Sequence, residues 1–405
     1  MCEESGMKSK WSRKYDFNTI INRKNTGSSK HDIPVRLSGS ESILPLTIGD
    51  MDFPLPEEVL SYIRKRVEHG IFGYTDSSKE YFKAIYHWMN HRHQWQPKEE
   101  WLIKVPGVVF AMAMAVQAFS EPGDGVLIQD PVYHLFSRTI ENNGRKVINN
   151  PLVLQSDGRY YMDLEDFEKK VKEDKVKLFL FCSPHNPVGR VWSKKELEEL
   201  GKICQREKVI VISDEIHQDF VFKGHTHYVF SELSEELNQQ TITCTAPTKS
   251  FNLAGLQVSN IFIANPELRR RFENQVATTG YETLNVLGYS ACEGAYKDGG
   301  EWFDQLLEYI YGNVIFVKEF LEERIPGVKL MPSDGTYMAW LDVRGLGLSK
   351  EEQKDLIIKK ADIWLDPGTK FGESGEGFWR MNLSCSRLFL EEALCRLERA
   401  TKSLK

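Results

Sequence analysis

TCTAPTKSFNLAGLQ, residues 243–257, sets one lysine, Lys249, between a β-branched run and a helix-favouring segment opened by Ser250, Phe251 and Asn252. The strands upstream explain its position. Short aliphatic or β-branched runs, GVLIQD (125–130), VKLFLFC (176–182), VIVISD (209–214) and TITCTA (241–246), alternate with helical patterns between about residues 62 and 291. That alternation is the signature of a βαβ sheet. In SKKELEELGKICQREK (193–208), Ser193 and Glu196 form a capping box, and Leu197, Leu200, Ile203 and Cys204 recur at helical spacing, so a crossover helix is expected there. DLEDFEKKVKED repeats the theme, with Asp163 as cap and Leu164, Phe167 and Val171 on one face. In a doubly wound sheet, ligands bind outside the carboxyl ends of the strands. FLFC runs into SPHNPVG with Asn186, VIVIS ends at Asp214 in DEIH, and TITCT leads to Lys249. An amide, a carboxylate and an amine are thus expected on one rim.

The rest of the chain narrows the chemistry. Its 405 residues are 41% hydrophobic and 27% charged, with a formal net charge of -6, which points away from nucleic acid and polyanions and toward a small-molecule substrate. The seven cysteines are scattered and never form CxxC, so a reducing, cytoplasmic setting is expected, without a disulfide frame or structural zinc. MCEESGMKSKWSRKYDF is charged throughout, so export is not expected, and VVFAMAMAVQAF (108–119) is too short to cross a membrane and reads as a buried helix. No GxGxxG follows a strand, which argues against a nicotinamide enzyme. His87 and His91, and the histidines of HRH and HTH, have no ligand partner at metal spacing and read as surface groups.

After about residue 300 the pattern changes to a long helix (301–325), then GTYMAWLDV, a capped helix from Ser349, and GFWRMNLSC before a terminal helix. The expected division is an N-terminal segment (1–60) packing with the small domain, a large α/β domain (61–300) and a smaller α+β domain (301–405).

The three groups at the rim suit pyridoxal phosphate. A lysine amine joins the cofactor's aldehyde, a carboxylate (Asp214) keeps the ring nitrogen protonated, and an amide (Asn186) donates to the ring oxygen. The phosphate requires donors at a helix start, which Gly107, Val108 and Val109 offer, with hydroxyls of Thr248 and Thr245 in support. Tyr133, after another strand end, is placed to stack on the ring.

The ordered series PGVVFAM, DPVYHLF, SPHNPVGRVW, SDEIHQDF, APTKSFNLAGLQ, GTYMAWLD and FWRMNLSC resembles the fold-type I pyridoxal-phosphate enzymes of the aspartate aminotransferase superfamily. YDFNTIINRKNTGSSKHD, IGDMDFPLP, GIFGYTD and the histidine of DEIH are closest to the cystathionine β-lyases of the MalY/PatB type. The resemblance implies a large domain with a mainly parallel seven-stranded sheet, and a carbon–sulfur β-lyase releasing a thiol, pyruvate and ammonia. It also implies that Arg380 clamps the α-carboxylate of a small amino-acid substrate beside Asn186 and Tyr133, and that His217 joins Asn186 at the ring oxygen. By the same resemblance the chain is a homodimer in which Tyr74 reaches the phosphate of the neighbouring subunit. Two positions depart from the superfamily: Gln257 stands where an arginine usually meets the phosphate, and Ala246 where serine is common. An aminotransferase would use the same groups, and a cofactor-binding regulatory protein is the reading from another class.

Overall fold

The computed structural model describes residues 14–404, so Cys2 and most of the charged opening stretch lie outside the described residues. A central sheet holds seven strands: β1 (Leu102–Val105), β2 (Gly125–Ile128), β3 (Lys146–Asn149), β4 (Leu178–Cys182), β5 (Ile210–Asp214), β6 (Thr241–Thr245) and β7 (Ser259–Ile263). Across the sheet they run β1-β7-β6-β5-β4-β2-β3. Only β7 runs opposite to the other six strands, which makes the sheet mainly parallel, as expected.

Every residue of β4, β6 and β7 is buried, because helices cover both faces of a sheet of this kind. The strand period of two then sorts the side chains. Leu178 and Leu180 pack with Ala111, Met112 and Ala115 of the helix Val108–Phe119, the buried helix expected from its apolar run. Phe179 and Phe181 face the other way, onto Leu197 and Leu200 of the helix Lys194–Arg206. Its Ser193–Glu196 capping box forms as read, and Asp163 caps the helix Leu164–Glu173. The sequence runs missed β1, β3 and β7. The first two are edge strands, and the antiparallel β7 falls outside the βαβ alternation.

A second, antiparallel sheet joins β8 (Lys329–Leu330), β9 (Met338–Asp342), β10 (Asp366–Pro367) and β11 (Phe378–Asn382) in the order β8-β9-β11-β10. The helices Gly300–Arg324 and Arg387–Lys402 pack on it through Val317, Phe320, Leu321, Leu390 and Leu394. The helix capped by Ser349 is short, Lys350–Lys354, and continues as a π-helix over Asp355–Lys360. No helix among the described residues is long and apolar enough to cross a membrane.

Residues 44–53 form a strap between the two sheets. Leu44–Pro45 pairs in parallel with Ile363–Trp364, and Asp52 N donates to Ser384 O at 2.9 Å. From the other side, Asn252 accepts from Met51 N (2.9 Å) and donates to Met51 O (2.9 Å). Ile48 adopts φ 56°, a left-handed conformation that a β-branched residue keeps only where its surroundings impose it. Asn382 imposes it by donating to the carbonyls of Ile48 (2.9 Å) and Asp50 (3.0 Å).

The strap is also held by a buried charge cluster. Lys30 is 0% exposed, and its Nζ lies 2.7 Å from Asp52 Oδ2 and donates to Asp50 O at 3.1 Å. Arg23 and His31 reach Asp52 Oδ1 at 2.7 and 2.9 Å. Removing the carboxylate would strand the Lys30 ammonium in the interior, which is far more damaging than losing an exposed pair. Asp52→Ala should therefore lower stability by about 3–5 kcal/mol in urea unfolding, and a loss below about 1 kcal/mol would contradict this role for the pair.

Candidate active site

The carboxyl ends of β4, β5 and β6 meet the strap and the second sheet around a cavity of about 690 Å³. Lys249, Asp214, Asn186, His217, Tyr133 and Arg380 all line it. So do Gly107, Val108, Val109 and Thr248. Tyr74 does not: its side chain is fully exposed on the outside of the chain.

Lys249 lies on the short helix Pro247–Ser250 that starts just past β6, with Pro247 in the first turn, where its missing N–H and fixed φ cost nothing. Nζ donates to the carbonyl of Gly49 at 3.2 Å, and Tyr337 Oη donates to the same oxygen at 2.7 Å. A side chain at residue 49 would push the amine out of this position, since a Cβ there would meet Lys249 Nζ at 2.7 Å. Removal from water lowers the amine's pKa, more than the nearby Asp50 carboxylate raises it. The neutral amine, which can accept a proton, is correspondingly favoured.

Asp214 closes β5 and accepts from Ile216 N at 3.1 Å. Burial pushes its pKa up to about 7, so the carboxylate lacks a cationic partner close enough to offset its lost hydration. His217 is buried as well, and burial, with smaller effects of Lys249 and Arg380, pushes it down to about 3. It is a neutral imidazole whose Nδ1 has no hydrogen-bond partner. Tyr133, its hydroxyl pKa raised by burial, meets His134 edge-on at 4.9 Å between ring centroids.

Arg380 extends from β11 and bridges two elements. Nη1 donates to Asn186 Oδ1 at 3.0 Å, and Nη2 reaches Asp366 Oδ2 at 2.7 Å. Asn186 therefore has its amide nitrogen, not its oxygen, left to donate into the cavity. Burial alone would raise the Asp366 pKa, but Arg380 and Lys370 hold it well below the usual carboxylate range. Sequence reading passed over Asp366, whose DPG context signals only a turn.

Two expectations are corrected. Thr245 cannot serve a phosphate, because its hydroxyl is buried and donates to Asn260 O at 3.0 Å across the β6–β7 pair. The histidines of HRH and HTH are not all surface groups. His93 and His227 have side chains 5% and 2% exposed and pair with buried carboxylates, at 2.7 Å to Asp219 and 2.8 Å to Glu215. Asp219 also accepts from Trp88 Nε1 (3.0 Å) and from the hydroxyl of Ser250, the residue after Lys249. Glu215, the residue after Asp214, accepts from Ser213 Oγ (2.8 Å) and Phe230 N (3.1 Å). His87 and His91 stack on each other at 6.0 Å and are both exposed, as expected.

The Asp214 environment fixes a sign. Its pKa when folded, about 7, stands above its ordinary 3.8, so in the ligand-free protein its stabilising contribution is complete below pH 3.8 and is lost as the pH rises through about 7. Across that window the melting temperature of the ligand-free wild type should fall relative to that of Asp214→Asn. A constant difference between the two would contradict the burial argument.

The pattern of the family described as aminotransferase class I and II matches residues 41–397. Over 385 residues the chain is 43% identical to cystathionine β-lyase PatB of Bacillus subtilis (strain 168), covering 95% of this chain and 99% of that one. Among solved structures it is similar to cystalysin from Treponema denticola, which contains pyridoxal 5'-phosphate, with a TM-score of 0.94 and 41% identity over 96% of this chain and 100% of the other. A PLP-bound putative aminotransferase from Clostridium difficile 630 superposes with a TM-score of 0.93 and 40% identity, again covering 96% and 100%. With its sheet order, its strand-end lysine and a match spanning almost its whole length, the chain belongs to the class I and II aminotransferase family.

Proposed function

We propose that the chain is a pyridoxal-phosphate-dependent carbon–sulfur β-lyase acting on L-cystathionine or a related cysteine S-conjugate, with a thiol, pyruvate and ammonia as products. The observation that carries this reading is the meeting of Lys249, Asp214, Asn186 and Arg380 in one cavity of a chain 43% identical to a cystathionine β-lyase.

The residues present fit the cofactor. A Cβ added at Gly107 would meet no protein atom within 4 Å, so the backbone before the helix Val108–Phe119 borders open space large enough to admit an anion at a positive helix end. Asp214 is a carboxylate in want of a positive neighbour, and His217 Nδ1 is a buried polar atom in want of a partner. When bound, pyridoxal phosphate supplies an electron sink for the negative charge left at the substrate's Cα.

In this reading each residue has one task. Arg380 orients the α-carboxylate with the donors left over from Asn186 and Asp366, and those two partners keep the guanidinium plane fixed. Lys249 holds the cofactor and then, as a free amine of lowered pKa, takes the proton from Cα. Asp214 would keep the ring nitrogen protonated, and Asn186 and His217 would hold the ring oxygen. Tyr133 would cover the ring, and the Gly107–Val109 turn and Thr248 would receive the phosphate. The Cβ–S bond then breaks, with the electron pair leaving on sulfur as a thiolate.

A homodimer belongs to the same proposal. Val67, Ile71 and Phe72 are exposed apolar side chains next to the fully exposed Tyr74, a surface that a second copy would cover while Tyr74 reached its partner's phosphate. The six described cysteines are all buried, and Cys182, Cys204, Cys244, Cys292 and Cys385 are free thiols, which supports a cytoplasmic setting. The two sheets support a division of the chain near residues 60 and 300.

Incubated with L-cystathionine and no keto acid, the protein should release pyruvate and a titratable thiol in equal amounts. Turnover that requires 2-oxoglutarate would instead favour the aminotransferase reading. Lys249→Ala should cut pyruvate release by at least 10²–10⁴-fold, roughly the contribution of a positioned general base, while leaving the fold intact by circular dichroism. Wild-type rates in that variant would overturn the proposal.

A further inference from the structure

The phosphate end of the cavity lacks the groups this superfamily would be expected to place there. Gln257, at the position of the usual arginine, is exposed, with its backbone at φ 49°, and does not line the cavity. Ala246 contributes only a methyl group, and the Thr245 hydroxyl is spent on Asn260 O. A phosphate dianion held there needs donors from another source.

One side chain has a donor with nothing to give it to. Ser259 opens β7, is 1% exposed, and lines the cavity, yet its Oγ has no hydrogen-bond partner. A buried hydroxyl is normally satisfied, so one left open in a cavity wall points to a group that arrives from outside the chain. The sheet register says which group. Ser259 stands opposite Val105, the last residue of β1, and the chain then runs through Pro106 and Gly107 into the helix that starts at Val108. The free hydroxyl therefore lies beside the helix start that offers its own unpaired N–H groups, and Thr248 lines the same cavity.

We propose that Ser259 Oγ–H donates to the phosphate of the bound cofactor and takes over part of the role of the absent arginine. This rests on the reading of the cavity as a pyridoxal-phosphate site. It makes this end of the site a cup of neutral donors and a helix dipole, with no guanidinium from this chain.

The test compares pyridoxal phosphate with pyridoxal, which lacks the phosphate, as ligands of the cofactor-free protein, with dissociation constants from fluorescence quenching. Ser259→Ala should weaken binding of pyridoxal phosphate by roughly tenfold to a hundredfold, the cost of losing a hydrogen bond to a charged group, and leave pyridoxal unchanged. Ser259→Thr and Ser259→Val are nearly equal in shape and differ in the hydroxyl. If the alanine variant does not fold, this pair carries the same test, with Thr binding pyridoxal phosphate at least tenfold more tightly than Val. Equal losses for both ligands, or no loss for pyridoxal phosphate, would overturn the assignment. A wild type that binds neither ligand would instead remove the cofactor reading itself.

Discussion

The amine of Lys249 donates to the carbonyl of Gly49, 200 residues earlier in the chain, and this bond draws together the parts from which a site could be made. It links the end of β6 to the strap, and the strap is in turn fixed to the second sheet by Asn382 and to the loop after Lys249 by Asn252. An amine in this position is removed from water and deprived of a full ion pair, and both conditions favour its neutral form. A surface lysine, free to hydrate, could not be tuned in this way. The missing side chain at Gly49 is what permits so close an approach.

Beneath the cavity floor, two carboxylates next to the site in sequence are satisfied from outside it. Glu215 follows Asp214 and is held by Ser213, Phe230 and His227, while Asp219 receives Trp88, His93 and the hydroxyl of Ser250. The two histidines meet edge-on at 5.7 Å, so the two networks share a packing contact. Fully satisfied buried networks of this kind set one geometry, because every alternative leaves a charge unpaired. Partners hold Asp219 below the usual carboxylate range, whereas Asp214 and Lys249 are both moved by burial toward their neutral forms, since no such partner reaches them. The contrast separates groups that hold the frame from groups free to react.

Much of this arrangement was legible in the sequence, for a physical reason. Central parallel strands are buried on both faces and read as unbroken apolar runs, so the ends of LFLFC, IVISD and TITCT, and with them Asn186, Asp214 and Lys249, could be placed by counting. Capping boxes are local, and Ser193 and Ser349 announced theirs. What escaped depends on contacts between distant segments. Asp366 acquires its role only when β10 pairs with β11 and brings Arg380 alongside, and His93 gains its carboxylate partner only when the fold brings Asp219 to it from 126 residues away. Ser259 was invisible for a different reason. Nothing about a serine in a strand signals that its hydroxyl will find no partner, and only the accounting of bonds in the folded chain exposes it. The short edge strands β1 and β3 lacked the continuous apolar signal of the central ones.

The account stands on the claim that the cofactor is joined to the chain at one strand-end amine. Reducing the loaded protein with borohydride makes that junction permanent, and peptide mapping by mass spectrometry then locates it. The label should fall on the peptide containing Lys249, at a stoichiometry near one per chain. A label on another lysine, or none at all on a protein that retains cofactor absorbance, would contradict the account at its root.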